Sequence, residues 1–347
     1  MTRRRSVFLG CLGAGALAVL ACGGGDFDPI SKVDSVRMFG VRADKPYARP
    51  GDTVTFTTMT TDARRDRPRP LTVYWIPFVC INPTDDLYYL CFVPGADSGA
   101  TLVAPNSVDG GVDAGAGGLA SGGLAAIPRG VNLAPLLPKG ETFSFQMPTN
   151  MVIPRAGTIP YGLAIVFNIA CAGQVRLADR SGDNPQQVPI QCTDENGTQL
   201  GPSDYVIGIN RAYAYTDLTN QNPVVDDVRL DGGVIDYDAG ITIEHCTTRK
   251  VDDCPPIAFD VDVPQSSWEE NPTENQTLRE QIWVDYYSDL GKFKDDARLL
   301  YDTRSGKVNE SRVEYRAPKT VADGTVWMVV HDNRAGASFL TFPLHVR

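Results

Sequence analysis

Histidine is scarce in this 347-residue chain, which contains three: His245, His331 and His345. A serine hydrolase needs a histidine base within hydrogen-bond reach of its nucleophile, and the Gly-x-Ser-x-Gly nucleophile pattern does not occur. The run His-Asp-Asn-Arg-Ala-Gly at 331–336 is typical of a hairpin turn after an apolar strand. His345 lies in an expected terminal strand. The sequence therefore offers no catalytic constellation built on histidine.

Positive charge is also in short supply. The chain has 32 Lys and Arg against 42 Asp and Glu, and its formal net charge is −10. An acidic surface would repel a polyanion, so we expect no nucleic-acid partner. Residues 64–70 interleave arginines with Asp66, Pro68 and Pro70, which predicts a solvated loop and not a basic binding surface.

Long apolar runs are missing except at the amino terminus. There an uncharged stretch from Val7 to Leu20 follows the arginines at 3–5. As a helix this stretch of about 14 residues would reach about 21 Å, which is short of the roughly 30 Å of a bilayer core. The pattern therefore predicts a cleavable export signal and not a permanent span.

The export signal ends in the run Val-Leu-Ala-Cys at 19–22. This run resembles the lipobox of bacterial lipoproteins, in which the cysteine is acylated and becomes the first residue of the mature protein. The resemblance implies that residues 1–21 are a signal peptide, that lipid on Cys22 anchors the protein in a membrane, and that residues 22–31 are a flexible tether. Since Gly23 and not Asp follows the cysteine, the resemblance favours the outer membrane.

The cysteines after Cys22 fall into pairs that are close in sequence. An even number of cysteines in an exported chain is typical of disulfides, although six cysteines allow fifteen connectivities. We expect the local pairing, in which Cys80 joins Cys91, Cys171 joins Cys192, and Cys246 joins Cys254. A zinc site formed by the last pair and His245 is the alternative, but no fourth ligand stands at an ordinary spacing.

An internal repeat divides the mature chain. Residues 33–40 (Val-Asp-Ser-Val-Arg-Met-Phe-Gly) are matched by residues 225–232 (Val-Asp-Asp-Val-Arg-Leu-Asp-Gly), and similar strand-like runs follow each segment. We therefore expect a first domain over 32–218 and a second over 222–347.

Short alternating runs separated by Gly, Pro, Asn and Asp predict an all-β fold, because each such strand buries one face against a second sheet. Trp75 and Trp283 stand near the middle of the two halves, on expected central strands. The chain thus resembles two immunoglobulin-like β-sandwich domains in tandem, in which a core tryptophan packs between the sheets. None of the expected disulfides has the long spacing that joins the two sheets in antibody domains.

Residues 94–140 interrupt the first domain and are rich in glycine. Such a low-complexity insertion has few side chains to bury and cannot offset its ordering entropy. We expect it to be a disordered surface loop.

Acidic residues cluster at 226–231, at 236–238 and on the expected strand at 260–262, where carboxylates could bind calcium. The Asp-x-Asp-x-Asp-Gly spacing of a calcium loop is absent, which favours a solvated acidic face. Glu269 and Glu270 follow Trp268 and suggest a glycosidase pair, but adjacent residues on a loop point apart. We therefore expect no metal, no cofactor and no catalytic residue.

Taken together, these patterns predict a lipid-anchored protein of the cell envelope that acts as a non-enzymatic binding or adhesion module. Its expected partners are the membrane, through the lipid on Cys22, and envelope proteins or glycans. One alternative is a structural subunit of an envelope complex, in which the 94–140 insertion orders against a partner. Another is a polysaccharide- or calcium-dependent hydrolase.

Overall fold

The computed structural model describes residues 29–92, 101–103, 131–178, 188–272 and 278–347. The chain divides into two compact units, Met1–Ile30 and Ser31–Arg347, and the fold below belongs to the second. The expected signal peptide, Cys22 and most of the expected tether lie outside the described residues. Within those residues, no helix is both long enough and apolar enough to cross a membrane.

The strands of the first half, in chain order, are β1 (Val36–Ala43), β2 (Tyr47–Ala48), β3 (Thr53–Asp62), β4 (Thr72–Trp75), β5 (Val79–Ile81), β6 (Thr101–Val103), β7 (Thr142–Gln146), β8 (Gly162–Cys171), β9 (Gln174–Leu177), β10 (Ile190–Thr193) and β11 (Tyr205–Ala214). Short 3-10 helices cover Thr84–Asp86 and Tyr88–Phe92.

The strands of the second half are β12 (Asp227–Leu230), β13 (Gly233–Val234), β14 (Ile241–Ile243), β15 (Ile257–Asp262), β16 (Ile282–Ser288), β17 (Lys292–Phe293), β18 (Ala297–Asp302), β19 (Gly306–Lys307), β20 (Val313–Arg316), β21 (Ala322–Asp332) and β22 (Ala337–Val346). Short 3-10 helices cover Val251–Asp253 and Gln265–Ser267.

The strand pairing repeats between the halves. In one sheet of the first half, the order is β1-β3-β7, and in the second half β12, β15 and β20 are neighbours in the same order. In the opposite sheets, β2 runs parallel to β11 and β11 pairs with β8, just as β14 runs parallel to β22 and β22 pairs with β21. Because two such sheets pack face to face in each half, the chain consists of two immunoglobulin-like β-sandwiches, as the sequence predicts.

The core of the first sandwich is built around Trp75, which is completely buried. Its ring centroid lies 5.2 Å from that of Phe143 and 6.4 Å from that of Phe56 on the facing sheet. The indole Nε1 donates a hydrogen bond to the Gly140 carbonyl oxygen at 2.9 Å. Trp75 therefore occupies the position between the sheets that its place in the sequence predicts.

The same prediction is wrong for Trp283. Along β16 the buried residues are Ile282, Val284, Tyr286 and Ser288. Because a strand alternates its faces, Trp283 points out of the sandwich. Its ring stacks on His331, with the centroids 5.1 Å apart. The fully buried aromatic ring that this strand contributes to the core is that of Tyr286.

β8 is buried along its whole length, so both faces of this strand need a cover. One face packs in the sandwich, and the other packs under the segments that follow β5 and β8, including part of the glycine-rich insertion. Leu133 and Leu137 lie within 94–140 and are 0% and 6% exposed, and Thr101–Val103 pairs with β5. The expectation of a disordered loop is therefore wrong for these parts of the insertion, because β8 presents a second apolar face that they cover. Residues 94–100 and 104–130 of the insertion lie outside the described residues.

The disulfides are the expected local pairs: Cys80 with Cys91, Cys171 with Cys192, and Cys246 with Cys254. The first two fasten the segments that cover β8. The third joins the cysteines of the alternative zinc site to each other, and the neighbouring His245 places Nδ1 2.9 Å from the Arg347 carbonyl oxygen. These cysteines therefore provide no thiolate ligands.

Candidate functional site at the junction of the two sandwiches

The two sandwiches meet at Phe39. A β-bulge between Met38 and Gly40 adds a residue to β1, so Met38 and Val41 both pack on the core of the first sandwich while Phe39 points towards the second. The ring of Phe39 lies 4.8 Å from that of Tyr287 and 5.0 Å from that of Trp327, measured between centroids. Phe39 is 7% exposed, so it is an anchor of the junction.

Main-chain hydrogen bonds add a second contact between the sandwiches. The segment before β1 runs parallel to the end of β16: the Ser288 N–H donates to the Ser31 carbonyl at 2.8 Å, and the Val33 N–H donates to the Ser288 carbonyl at 2.9 Å. Ser31 is 2% exposed. The expected tether over 22–31 is therefore too long at its carboxyl end, because Ser31 already belongs to the fold.

The expected solvated loop at 64–70 contains a buried charge. Arg64 is 6% exposed, and its guanidinium donates to Asp62 at 2.8 Å and to Asp204 at 2.7 Å. The side-chain hydrogen bond from Arg64, more than any other interaction, lowers the pKa of Asp62, which burial alone would raise. The prediction of full solvation is wrong here because the forked guanidinium matches two carboxylates that the fold brings together. Arg65 remains exposed.

A groove of about 780 Å³ opens between the sandwiches beside this ion pair, and we call it the interdomain groove. The first sandwich contributes the ends of β3 and β4, the 139–141 segment and Arg67, whereas the second contributes Asp289, Thr325 and Trp327. The groove is an open surface feature, and junctions between domains are common positions for ligand sites.

Charges of both signs face the interdomain groove. Burial raises the pKa of Asp289, although its Oδ1 accepts a hydrogen bond from the Thr325 N–H at 2.7 Å and the charge of Arg67 acts in the opposite direction. Arg67 donates from Nε to the Arg64 main-chain carbonyl at 3.0 Å, which orients this groove side chain. The Lys139 ammonium lies 5.6 Å from the centre of the Tyr74 ring.

The lining side chains are mainly hydrogen-bond donors and acceptors. Threonine hydroxyls, carboxylates and basic side chains dominate, and no histidine, cysteine or serine is among the described residues that line the groove. The arrangement can bind a polar ligand through several hydrogen bonds, with Trp327 as an apolar part of the wall.

The acidic clusters of the second half do not converge on one point. Asp227 pairs with Arg229 at 3.0 Å, Asp262 pairs with Lys307 at 2.6 Å, and the Oδ1 of Asp260 accepts from Ser311 at 2.9 Å. Within the described ranges, no group of three or more His, Cys, Asp or Glu side chains has a metal-binding arrangement. These carboxylates therefore serve as partners of neighbouring cations and of a hydroxyl group.

The side chains of the adjacent residues Glu269 and Glu270 point in different directions. Glu269 turns towards the buried Arg334, whose Nη1 lies 3.4 Å from its Oε2, while Glu270 is exposed. Trp268 packs on the core of the second sandwich, where its ring centroid lies 5.8 Å from that of Tyr301.

The hairpin turn expected after His331 does form between β21 and β22. His345 pairs with Asp323 of β21 at 2.8 Å.

Sequence reasoning missed the residues that build the junction, although one of them left a signal. In the internal repeat, Phe39 stands where the second copy has Asp231, a position that is polar when no partner domain covers it. Arg64 and Arg67 left no comparable signal. Asp204, the partner of Arg64, lies 140 residues away from it in the sequence, so only the fold reveals this pair.

No protein-family model and no curated protein matches the sequence. Among solved structures, the chain is similar to the fibronectin(III)-like modules of Clostridium thermocellum CbhA, with 8% identity, 89% of this chain and 94% of that chain covered, and a TM-score of 0.20. It is also similar to the C-terminal domain of Streptococcus agalactiae BspA, with 10% identity, coverage of 88% and 99%, and a TM-score of 0.19.

Latent PorU from Porphyromonas gingivalis is a further similar structure, with 11% identity and a TM-score of 0.19; the match covers 90% of this chain, which spans 24% of the PorU chain. Similarities at this level carry no argument about function. The strand pairing of the chain itself defines its fold class.

We predict that Phe39→Ala lowers the free energy of unfolding by about 3 kcal/mol, because it removes a buried ring from a packed contact. Chemical denaturation followed by circular dichroism measures the change. Val321→Ala, at a position that is 60% exposed, is the control and should change stability by less than about 0.5 kcal/mol. Equal stability of the two variants would contradict the role of Phe39 as the anchor.

We predict that Arg64→Met costs about 2 kcal/mol of stability near neutral pH, because Asp62 and Asp204 are left as unpaired carboxylates in partly buried positions. The neighbouring Arg65→Met should cost little. Since the pKa of Asp62 is lowered in the fold, its contribution is present above about pH 4 and disappears as the pH falls through the lowered value. The difference between the two variants should therefore shrink in acid, and a constant difference would count against this ion pair.

Proposed function

We propose that the chain is a lipid-anchored, non-enzymatic binding module of the cell envelope and that it binds its ligand in the interdomain groove. The observation that carries the proposal is the construction of the groove. Its walls come from both sandwiches, and Phe39 together with the Ser31–Ser288 hydrogen bonds holds those walls in one arrangement. A site with fixed walls loses little conformational entropy when a ligand binds.

The chemistry of the lining favours a polar ligand. Hydroxyl groups of Thr61, Thr72 and Thr325 stand among carboxylates and the cations of Arg67 and Lys139, so the groove offers donors and acceptors of both charges. Glycans and polar segments of envelope proteins both present such complementary groups.

The position in the cell envelope rests on the resemblance of residues 19–22 to a lipobox. The disulfides agree with this assignment, because such bonds persist in oxidising compartments and are rare in the cytosol. Several acyl chains on Cys22 would anchor the protein durably, since each buried CH₂ contributes about 0.8 kcal/mol. Gly23 after the cysteine favours the outer membrane as the destination.

We predict that the native protein, extracted from membranes with detergent, begins at Cys22 and carries acyl groups on it. Mass spectrometry of the intact protein and of its amino-terminal peptide measures both. Cys22→Ser should release the protein from the membrane fraction without changing the disulfides. An unmodified thiol at Cys22, or a retained leader, would overturn the anchoring proposal.

We predict that a photo-crosslinking side chain at Thr61, in the groove, captures the ligand in intact cells. The same side chain at Val234, which is 63% exposed on β13 and does not line the groove, is the matched control. Adducts should form at Thr61, persist after washing, and disappear when Arg67→Ala and Lys139→Ala are combined in one chain. Equal labelling at both positions, or none at Thr61 under several growth conditions, would contradict ligand binding in the groove.

A further inference from the structure

A second part of the junction buries charged side chains around Arg334, in the turn between β21 and β22. Arg334 and Asp332 are each 4% exposed and Glu280 is 0% exposed. The Glu269 carboxylate approaches the same guanidinium at 3.4 Å. We call these four residues the Arg334 cluster, and it combines three carboxyl groups with one guanidinium.

The Arg334 cluster ties the two sandwiches to the segment that links them. The guanidinium donates from Nη2 to the Thr219 carbonyl at 2.6 Å, and the side chain of Asn220 donates to the Arg334 carbonyl at 3.0 Å. On the side of the first sandwich, the guanidinium lies 4.9 Å from the centre of the Tyr47 ring. One side chain of the second sandwich therefore contacts both the linker and the first sandwich.

The carboxyl groups of the Arg334 cluster differ in the number of hydrogen bonds that they accept. Asp332 Oδ1 accepts the N–H groups of Arg334 and Gly336, both at 2.7 Å, and its Oδ2 accepts from Asn220 at 3.1 Å. Such donors stabilise the ionised form of Asp332. The Oε1 of Glu280 accepts the Glu269 N–H at 2.8 Å, but its Oε2 has no hydrogen-bond partner within the described part of the chain.

One guanidinium cannot neutralise three buried carboxylates. Arg334 Nη1 is 3.9 Å from the Oε2 of Glu280, beyond hydrogen-bond distance, while the charges of Asp332 and Glu269 also face Glu280. A buried carboxyl group with like charges beside it is more stable with a proton. Glu280 is therefore the member of the cluster that holds one.

We propose that the junction of the two sandwiches is proton-dependent: it is locked while the buried Glu280 carboxyl group is protonated, and it loosens when that proton is lost to solvent. Ionisation adds a negative charge beside Asp332 and Glu269. Arg334 must then share its interaction among more carboxylates, and its hold on the Thr219 carbonyl and the Tyr47 ring weakens. This inference concerns the linker and is independent of whether the interdomain groove binds a ligand.

The pKa of Glu280 in the folded and unfolded states determines the direction in which pH changes stability. It also determines the pH range over which stability changes. Burial, followed by the charge of Asp332, raises the pKa of Glu280 to about 8, compared with an ordinary value of 4.5. The stability linked to this proton is therefore fully present below about pH 4.5, decreases up to about pH 8 and changes no further above it. Burial also raises the pKa values of Glu269 and Asp332. Their protonation therefore adds to the change in stability at the acidic end of this pH range.

Hydrogen–deuterium exchange of the mature chain between pH 6 and pH 9.5, corrected for the intrinsic rates, tests the proposal. In the wild type, exchange of the linker amides at 216–224 should rise at least about fivefold, with a midpoint near pH 8. Glu280→Gln keeps the shape and the neutral charge of the protonated acid, so its linker should stay protected throughout. Glu244→Gln, at an exposed position, is the control and should follow the wild type.

A second variant keeps the test decisive if Glu280→Gln folds poorly. Glu269→Gln removes one of the charges that raise the pKa of Glu280, so the midpoint of linker exchange should move to lower pH and the pH-dependent rise should become smaller. A flat wild-type profile, or the same midpoint in the wild type and in Glu280→Gln, would overturn the proposal. An unchanged midpoint in Glu269→Gln would do the same.

Discussion

Phe39 fixes the relation between the two sandwiches, and the interdomain groove depends on that relation. Interfaces between domains of one chain are usually polar enough to permit relative motion. Here the bulge in β1 moves one aromatic side chain out of its own sandwich and places it against Tyr287 and Trp327 of the other. With this ring in place, Arg67 and Asp289 stand on opposite walls of one site. Without it, the junction would keep its hydrogen bonds but lose the ring that packs the two walls against each other.

The alternation of strand faces explains which parts of the fold could be predicted. Repeated strand-like runs specify two sandwiches because each run has one apolar face, and the same pattern occurs in both halves. The expectation that a tryptophan on a central strand lies in the core fails for Trp283, because the residue type alone does not show which face of the strand it occupies. Ile282, Val284 and Tyr286 face the core, and Trp283 lies on the opposite face. Prediction from the sequence also fails for Leu133 and Leu137, which lie in a glycine-rich stretch but cover the second apolar face of β8.

The buried charges at the junction and beside it could not be predicted from the sequence. Arg64 and Arg334 both stand in segments with the composition of solvated turns, and nothing local distinguishes them from Arg65, which is exposed. Their burial depends on partners that are distant in sequence, such as Asp204 for Arg64 and Thr219 for Arg334, which lie 140 and 115 residues away. Turn composition predicts the backbone correctly in the β21–β22 hairpin, whereas the environment of its side chains is set by the linker and by the first sandwich.

Two different kinds of contact therefore act on the same junction. Phe39 packs against Trp327 and Tyr287, and burial raises the pKa of the Tyr287 phenol to about 12, so no group in this contact changes its charge near neutral pH. Replacing a buried ion cluster with apolar residues is often neutral or stabilising, so stability alone does not account for the Arg334 cluster. What an apolar contact cannot supply is a dependence on protonation, and Glu280 supplies one because it shares Arg334 with Asp332 and Glu269. In this arrangement Phe39 determines how the sandwiches are placed, and the Arg334 cluster determines the conditions under which that placement is rigid.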